Sequence, residues 1–93
     1  MNAVFELCSA YGVSVRFAEL GDWGKDELRA EYDPAGPEIR IHIQLEADLV
    51  ARALGHELYH HREAIGEVAV LGNKRAREAA ADAYAAQLLE AGT

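Results

Sequence analysis

The sequence predicts an α+β domain in which an N-terminal helix and a small three-stranded antiparallel sheet precede two packed helices. Apolar residues recur at every second position in segments between residues 13 and 43, which is typical of half-buried strands. From residue 45 onward they recur at every third or fourth position, which is typical of helices. With 93 residues, 51% of them hydrophobic, the chain has enough material for one core, so we treat 1–93 as a single domain.

The first elements follow from local spacing. Residues 3–10 (AVFELCSA) carry apolar side chains at helical spacing, and Gly12 then provides a stop. From Val13 the stretch VSVRFAEL alternates, with turn residues near Gly21 closing it. We therefore predict a short helix followed by a half-buried strand.

Two further strands are predicted on either side of a run of turn residues. LRAEYD and EIRIHI both alternate, and DPAGP between them is rich in residues that break strands, so a hairpin is the simplest connection. In EIRIHI one face is expected to carry Ile39, Ile41 and Ile43. The opposite face carries His42, for which we expect an exposed position on the strand.

Two helices complete the chain. The apolar spacing from Leu45 to Ile65 predicts a long helix of about five turns that ends near Gly66. After a linker containing Gly72, the segment RAREAAADAYAAQLLEAG has high helix propensity and ends at a glycine. The alanines of this segment are small enough to allow close packing on the preceding helix.

Composition excludes several classes of function. The net charge of −7 argues against direct binding to the phosphate backbone of nucleic acid, and we expect the basic residues around the helix connection to be solvated. The single cysteine, Cys8, cannot form an internal disulfide and is best explained as a small buried hydrophobe. The N-terminal residues lack the features of a signal peptide, and no stretch is long and apolar enough to span a membrane. We therefore expect a cytoplasmic protein.

The stretch GHELYHH contains three of the four histidines in the chain. His56, Glu57 and His60 form H-E-x-x-H on the long predicted helix, where spacing by four residues puts both imidazoles on one face. They could share one metal ion, with Glu57 positioned to act on a water as general base. The alternative is a solvated face of a surface helix. Because catalytic zinc takes three protein ligands and a water, the metal hypothesis requires a third ligand downstream.

The last helix offers that ligand. Glu78 begins E-A-A-A-D, and Asp82 lies one turn later on the same face. Close packing of the two helices would bring Glu78 to the metal, and Asp82 could then accept the second ring N–H of a ligand histidine. The alternatives are a surface Glu78 paired with Arg75 or Arg77, and an ordinary exposed Asp82.

These two segments together resemble the ImmA/IrrE family of small gluzincin-type metallopeptidases. In that family H-E-L-x-H lies on one helix, and the next helix carries a run similar to the one from Glu78 to Leu89. The resemblance covers about Ile39 to Leu89 and implies one zinc ion held by His56, His60 and Glu78, with Glu57 activating water for attack on a peptide carbonyl. It also implies a minimal zincin-like fold and a protein or peptide substrate, with a transcriptional repressor as one candidate.

Other polar residues near the motif have less certain roles. Tyr59, where the family often has glycine, could crowd the site or place a hydroxyl near the reacting oxygen, and His42 and Tyr84 are further candidates for contacts with substrate. For Tyr84 a position in the core is the leading interpretation, and for His61 a surface or helix-capping role. Gly55 is costly in a helix, which indicates close approach of another backbone.

Three functions compete at this point. The first is a zinc-dependent endopeptidase that acts on a protein partner. The second is a zinc-stabilised binding module that keeps the ligands but has little or no catalytic activity. The third is a helical domain without metal. No other cofactor is indicated, since the chain has no glycine-rich phosphate loop.

Overall fold

A computed structural model describes residues 3–20 and 30–91. It confirms the α+β class and the predicted order of elements. In chain order the helices and strands are α1 (Ala3–Ala10), β1 (Ser14–Ala18), β2 (Ala30–Asp33), β3 (Glu38–His42), α2 (Ala47–Ala64) and α3 (Lys74–Ala91). Two predicted features lie outside the described residues: the turn at Gly21, Asp22, Trp23 and Gly24, and the first two residues of the predicted strand LRAEYD, Leu28 and Arg29.

The sheet is mixed, so the prediction of an antiparallel sheet was wrong in one pairing. Its strand order is β1-β3-β2, with the predicted antiparallel hairpin between β2 and β3 and a parallel pairing between β1 and β3. The reason lies in the apolar content of β3, whose Ile39 and Ile41 are fully buried. This strand takes the centre, and the more exposed β1 pairs with its remaining edge.

The hairpin is closed by polar groups on its solvent side. The carboxylate of Asp33 accepts a hydrogen bond from the backbone N–H of Ala35 at 2.9 Å, which stabilises the turn. Arg40 of β3 lies between carboxylates on both strands, at 2.9 Å from Glu31 and 2.7 Å from Glu38. These contacts leave the other face of the sheet free to pack against α2.

The core lies between the sheet, α1 and α2. Its fully buried side chains include Ile39 and Ile41 from the sheet, Leu54 and Leu58 from α2, and Cys8 from α1. Burial raises the pKa of the Cys8 thiol to about 11, as expected for a cysteine that serves as a small hydrophobe.

The end of β3 departs from simple alternation. The strand stops at His42, so Ile43 is 60% exposed rather than buried with the other isoleucines. His42 itself is only 3% exposed, so the expectation of an exposed strand histidine was wrong. Its Nδ1 accepts a hydrogen bond from the backbone N–H of Leu20 at 3.2 Å, because the chain leaving β1 passes over this ring.

His61 is also buried, at 4% exposure, which contradicts the predicted surface or capping role. Its Nδ1 is hydrogen-bonded to the Tyr32 hydroxyl at 2.7 Å, and the Tyr11 ring packs edge-on against it with centroids 5.8 Å apart. The prediction failed because helical spacing alone does not show that β2 and α1 cover this side of α2.

The two long helices approach each other closely at Gly55. A Cβ atom added to Gly55 would lie 3.0 Å from Cα and 3.1 Å from Cβ of Ala85. This confirms the close backbone approach that the glycine indicated. The start of α3 is fixed by Asn73, whose side chain accepts the N–H of Ala76 at 2.8 Å. In the part of the chain that the structure describes, no helix is long and apolar enough to cross a membrane.

Gly55→Val should lower the free energy of unfolding by about 2 kcal/mol, because the added atoms meet the backbone of α3 and overpack the helix contact. Urea denaturation measures the change. Gly72→Val is the matched control, since nothing lies within 4 Å of a Cβ at that position. Equal effects at the two positions would show that helix spacing at Gly55 does not limit stability.

Tyr32→Phe should cost about 1–2 kcal/mol of stability, because it leaves the buried Nδ1 of His61 without its hydroxyl partner. Tyr11→Phe is the control: it also removes a hydroxyl from a ring that packs on His61, but that hydroxyl is bonded to the exposed Glu67. We expect it to cost no more than about 0.5 kcal/mol. A Tyr11→Phe loss as large as that of Tyr32→Phe would contradict a special role for the buried bond.

Candidate metal centre

The site is built on the side of α2 that faces α3. His56 and His60 lie one turn apart on this helix, with ring centroids separated by 5.1 Å, and both rings are largely buried. Gly55 lies beside His56 and lets α3 approach at this level. The two imidazoles therefore lie between the helices instead of projecting into solvent.

Glu78 of α3 bridges the two histidines. Its Oε1 is 2.9 Å from Nε2 of His56, and its Oε2 is 3.1 Å from Nε2 of His60. The three residues offer ligand atoms that all lie within 4.8 Å of one another. Glu78 thus pairs with the histidines and not with Arg75 or Arg77, the surface alternative considered from the sequence.

The second nitrogen of each ring contacts another carboxylate. Nδ1 of His56 is 2.7 Å from Oδ1 of Asp82, and Nδ1 of His60 is 2.7 Å from Oε1 of Glu63. Because an ionised carboxylate can only accept, each Nδ1 carries the hydrogen and donates it. Nε2 of both rings faces Glu78 instead, so it is the nitrogen that could exchange this contact for a bond to a metal.

Glu63 was missed by the sequence reasoning. It lies on α2 three residues after His60, a spacing that places both side chains on one face, so helical geometry could have revealed it. Its carboxylate also pairs with Arg77 of α3 at 3.0 Å. Two basic residues of this region thus make specific contacts, Arg77 with Glu63 and Arg62 with the Tyr84 ring, whose centre lies 4.8 Å from its guanidinium carbon.

Glu57 lies beside these ligands without being one of the three that converge. Burial raises the pKa of Glu57 to about 7; the neighbouring His56 opposes this shift, while the charge of Glu78 adds to it. A bound dication would favour the ionised carboxylate. The site thus contains a carboxyl group suited to exchange protons with water.

His56 is affected by two opposing influences. Burial alone disfavours its charged form, but the hydrogen bond to Asp82 and the charge of Glu57 outweigh burial, and the net effect raises the pKa of His56. The imidazole is thus surrounded by negative charge, which favours a bound cation as well as a bound proton.

The remaining candidates lie around the cluster. Tyr59 packs edge-on against His60, with centroids 6.3 Å apart, and its ring lies 5.7 Å from that of Tyr84. Tyr84 is partly buried against the core, in keeping with its leading interpretation. His42 is not part of the group of ligand atoms, since its buried ring lies at the end of β3 and contacts Leu20.

The residues present fit a zinc ion. Two imidazole nitrogens and one carboxylate oxygen form the ligand set of a catalytic zinc site with one position left for water. The three ligand atoms lie within 4.8 Å of one another, which is close enough for one ion to contact all three. Among the described residues this is the one group of histidine, cysteine and acidic side chains close enough to bind a metal.

The chain was compared with protein-family models, with curated proteins and with solved structures, and none of them matches. The resemblance to the ImmA/IrrE family therefore rests on the two helix motifs and stays a prediction.

Proposed function

We propose that the protein is a zinc-dependent endopeptidase of the gluzincin type. In this proposal His56, His60 and Glu78 bind one zinc ion, and Glu57 is the general base. The observation that carries it is the convergence of three ligand atoms from two helices, with Nδ1 of each histidine already engaged by a carboxylate. A solvated surface motif would not require a partner for each ring nitrogen.

When bound, zinc supplies Lewis-acid chemistry, polarising the scissile carbonyl and acidifying a water. Glu57 accepts a proton from the attacking water and returns it to the amine nitrogen as the peptide bond breaks. A carboxyl group with a raised pKa suits both steps, because it gains and loses a proton near neutral pH. Tyr59, which contacts the ring of His60, is the leading candidate for a hydrogen bond to the developing oxyanion.

The sheet supplies a surface for an extended substrate. Among the described residues β2 is an edge strand, and it packs against α2, the helix that carries Glu57. A peptide that adds to this edge by backbone hydrogen bonds would lie beside that helix. The substrate we propose is a protein segment in extended form, with a cytoplasmic repressor as one candidate partner.

The protein, purified without chelators, should contain about one zinc ion per chain, which is the stoichiometry expected for a single three-residue site. Glu78→Ala should lose or greatly weaken zinc binding, because two histidines alone leave the site a ligand short. Elemental analysis measures both. Glu90→Ala, at an exposed glutamate near the end of the same helix, should keep its zinc. A folded parent protein without zinc would remove the basis of the peptidase proposal.

Glu57→Gln should keep zinc but lower peptide hydrolysis by about 10²- to 10⁴-fold, because it removes the base without removing a ligand. Cleavage of a randomised peptide library, followed by mass spectrometry, measures the loss. If the zinc-loaded parent cleaves nothing, the zinc-stabilised binding module replaces the peptidase. If Glu57→Gln cleaves as well as the parent, Glu57 is not the general base.

A further inference from the structure

Glu63 is an acidic residue in an unusual position. Its side chain is only 2% exposed, although an ionised carboxylate loses favourable hydration when it is buried. Such a group is tolerated where hydrogen bonds and opposite charge replace water. Both partners are present: Oε1 accepts from Nδ1 of His60 at 2.7 Å, and the Arg77 guanidinium contacts both carboxylate oxygens, at 3.0 and 3.2 Å.

Arg77 places a positive charge against the buried Glu63 carboxylate. Its guanidinium donates to both carboxylate oxygens. Nδ1 of His60 lies 2.7 Å from Oε1 of the same carboxylate and is in position to donate to it. This contact orients the imidazole so that its Nε2 faces Glu78, at 3.1 Å.

The same residue also connects the two helices that supply the ligands. Arg77 immediately precedes Glu78 in the first turns of α3. The ion pair between Arg77 and Glu63 therefore restrains the part of α3 that carries the third ligand. One carboxylate thus acts on His60 directly and on Glu78 through Arg77.

We propose that Glu63 is a positioning residue of the zinc site, which orients His60 and holds the start of α3 so that Glu78 reaches both histidines. This rests on the proposed zinc centre and adds a residue that the sequence motif does not contain. The comparison with Asp82 gives it a measurable consequence. Asp82 makes an equally short bond to His56 but is 55% exposed, so water competes for it. Glu63 is shielded from water, and its loss should weaken zinc more than the loss of Asp82.

The test is the zinc dissociation constant, measured by competition with a chromophoric chelator. Glu63→Gln should weaken zinc binding by about 10- to 100-fold, the usual range for carboxylates behind ligand histidines, and Asp82→Asn by less. Glu67→Gln is the control, since it also removes one negative charge, near the end of α2, but its carboxylate contacts Tyr11 and Arg62. The zinc affinity of Glu67→Gln should stay within about twofold of that of the parent, a smaller change than the loss expected for a carboxylate behind a ligand histidine.

A second measurement needs no variant and therefore does not depend on whether Glu63→Gln folds. Long-range ¹H–¹⁵N correlation spectra of the zinc-loaded parent protein report the tautomer of each histidine. His60 should carry its hydrogen on Nδ1 and bind zinc through Nε2. Coordination of His60 through Nδ1, or a Glu63→Gln protein that binds zinc as tightly as the parent, would overturn the role of Glu63. In either case the proposed zinc centre would stand if the parent binds zinc and Glu78→Ala does not. A parent protein without zinc would overturn both the zinc centre and the role of Glu63.

Discussion

The contact between Gly55 and Ala85 is the constraint on which the rest of the site depends. A side chain at position 55 would push α3 away, and with it Glu78 and Asp82. Small residues on α3 also permit the close approach, since Ala81 and Ala85 are fully or almost fully buried. The helix propensity lost at a glycine, about 1 kcal/mol, is the cost of bringing two backbones this close. The close packing leaves a narrow space between the two helices, in which acidic side chains of α3 can reach both imidazoles.

The opposite side of α2 explains why adjacent histidines have different surroundings. His60 faces α3 and contacts carboxylates, whereas His61 faces β2 and α1 and contacts two tyrosine rings. A turn of about 100° per residue separates these directions. The central strand β3 matters here only indirectly, because it aligns β2 beneath α2. The sheet therefore fixes the rotation of α2 about its axis, and that rotation decides which histidine faces Glu78.

Local patterns were sufficient to predict the parts of this protein that depend on local spacing. The helix bounds, the β2–β3 hairpin and the close approach at Gly55 all follow from spacing and turn residues. The parallel pairing of β1 does not follow from local spacing, because it depends on which strand occupies the central position of the sheet. The burial of His42 and His61 was missed for a related reason: a residue on the polar side of its own element can still be covered by a distant one. Glu63 lies three residues after His60, a spacing that helical geometry could have predicted, but it is outside the H-E-x-x-H motif.

The geometry of Glu78 shows how such a site can exist both with and without metal. Each of its oxygens lies about 3 Å from an Nε2 atom, so protons can link the carboxylate to the rings when no cation is bound. Zinc binding would exchange these hydrogen bonds for coordination and release protons. The three ligand atoms already lie within 4.8 Å of one another, so both helices present them to one place before any metal binds. Asp82 and Glu63 contact only the Nδ1 atoms, and their bonds can persist through the exchange. The carboxylates behind the histidines thus maintain one arrangement of the rings in both states, which lowers the reorganisation that metal binding would otherwise require.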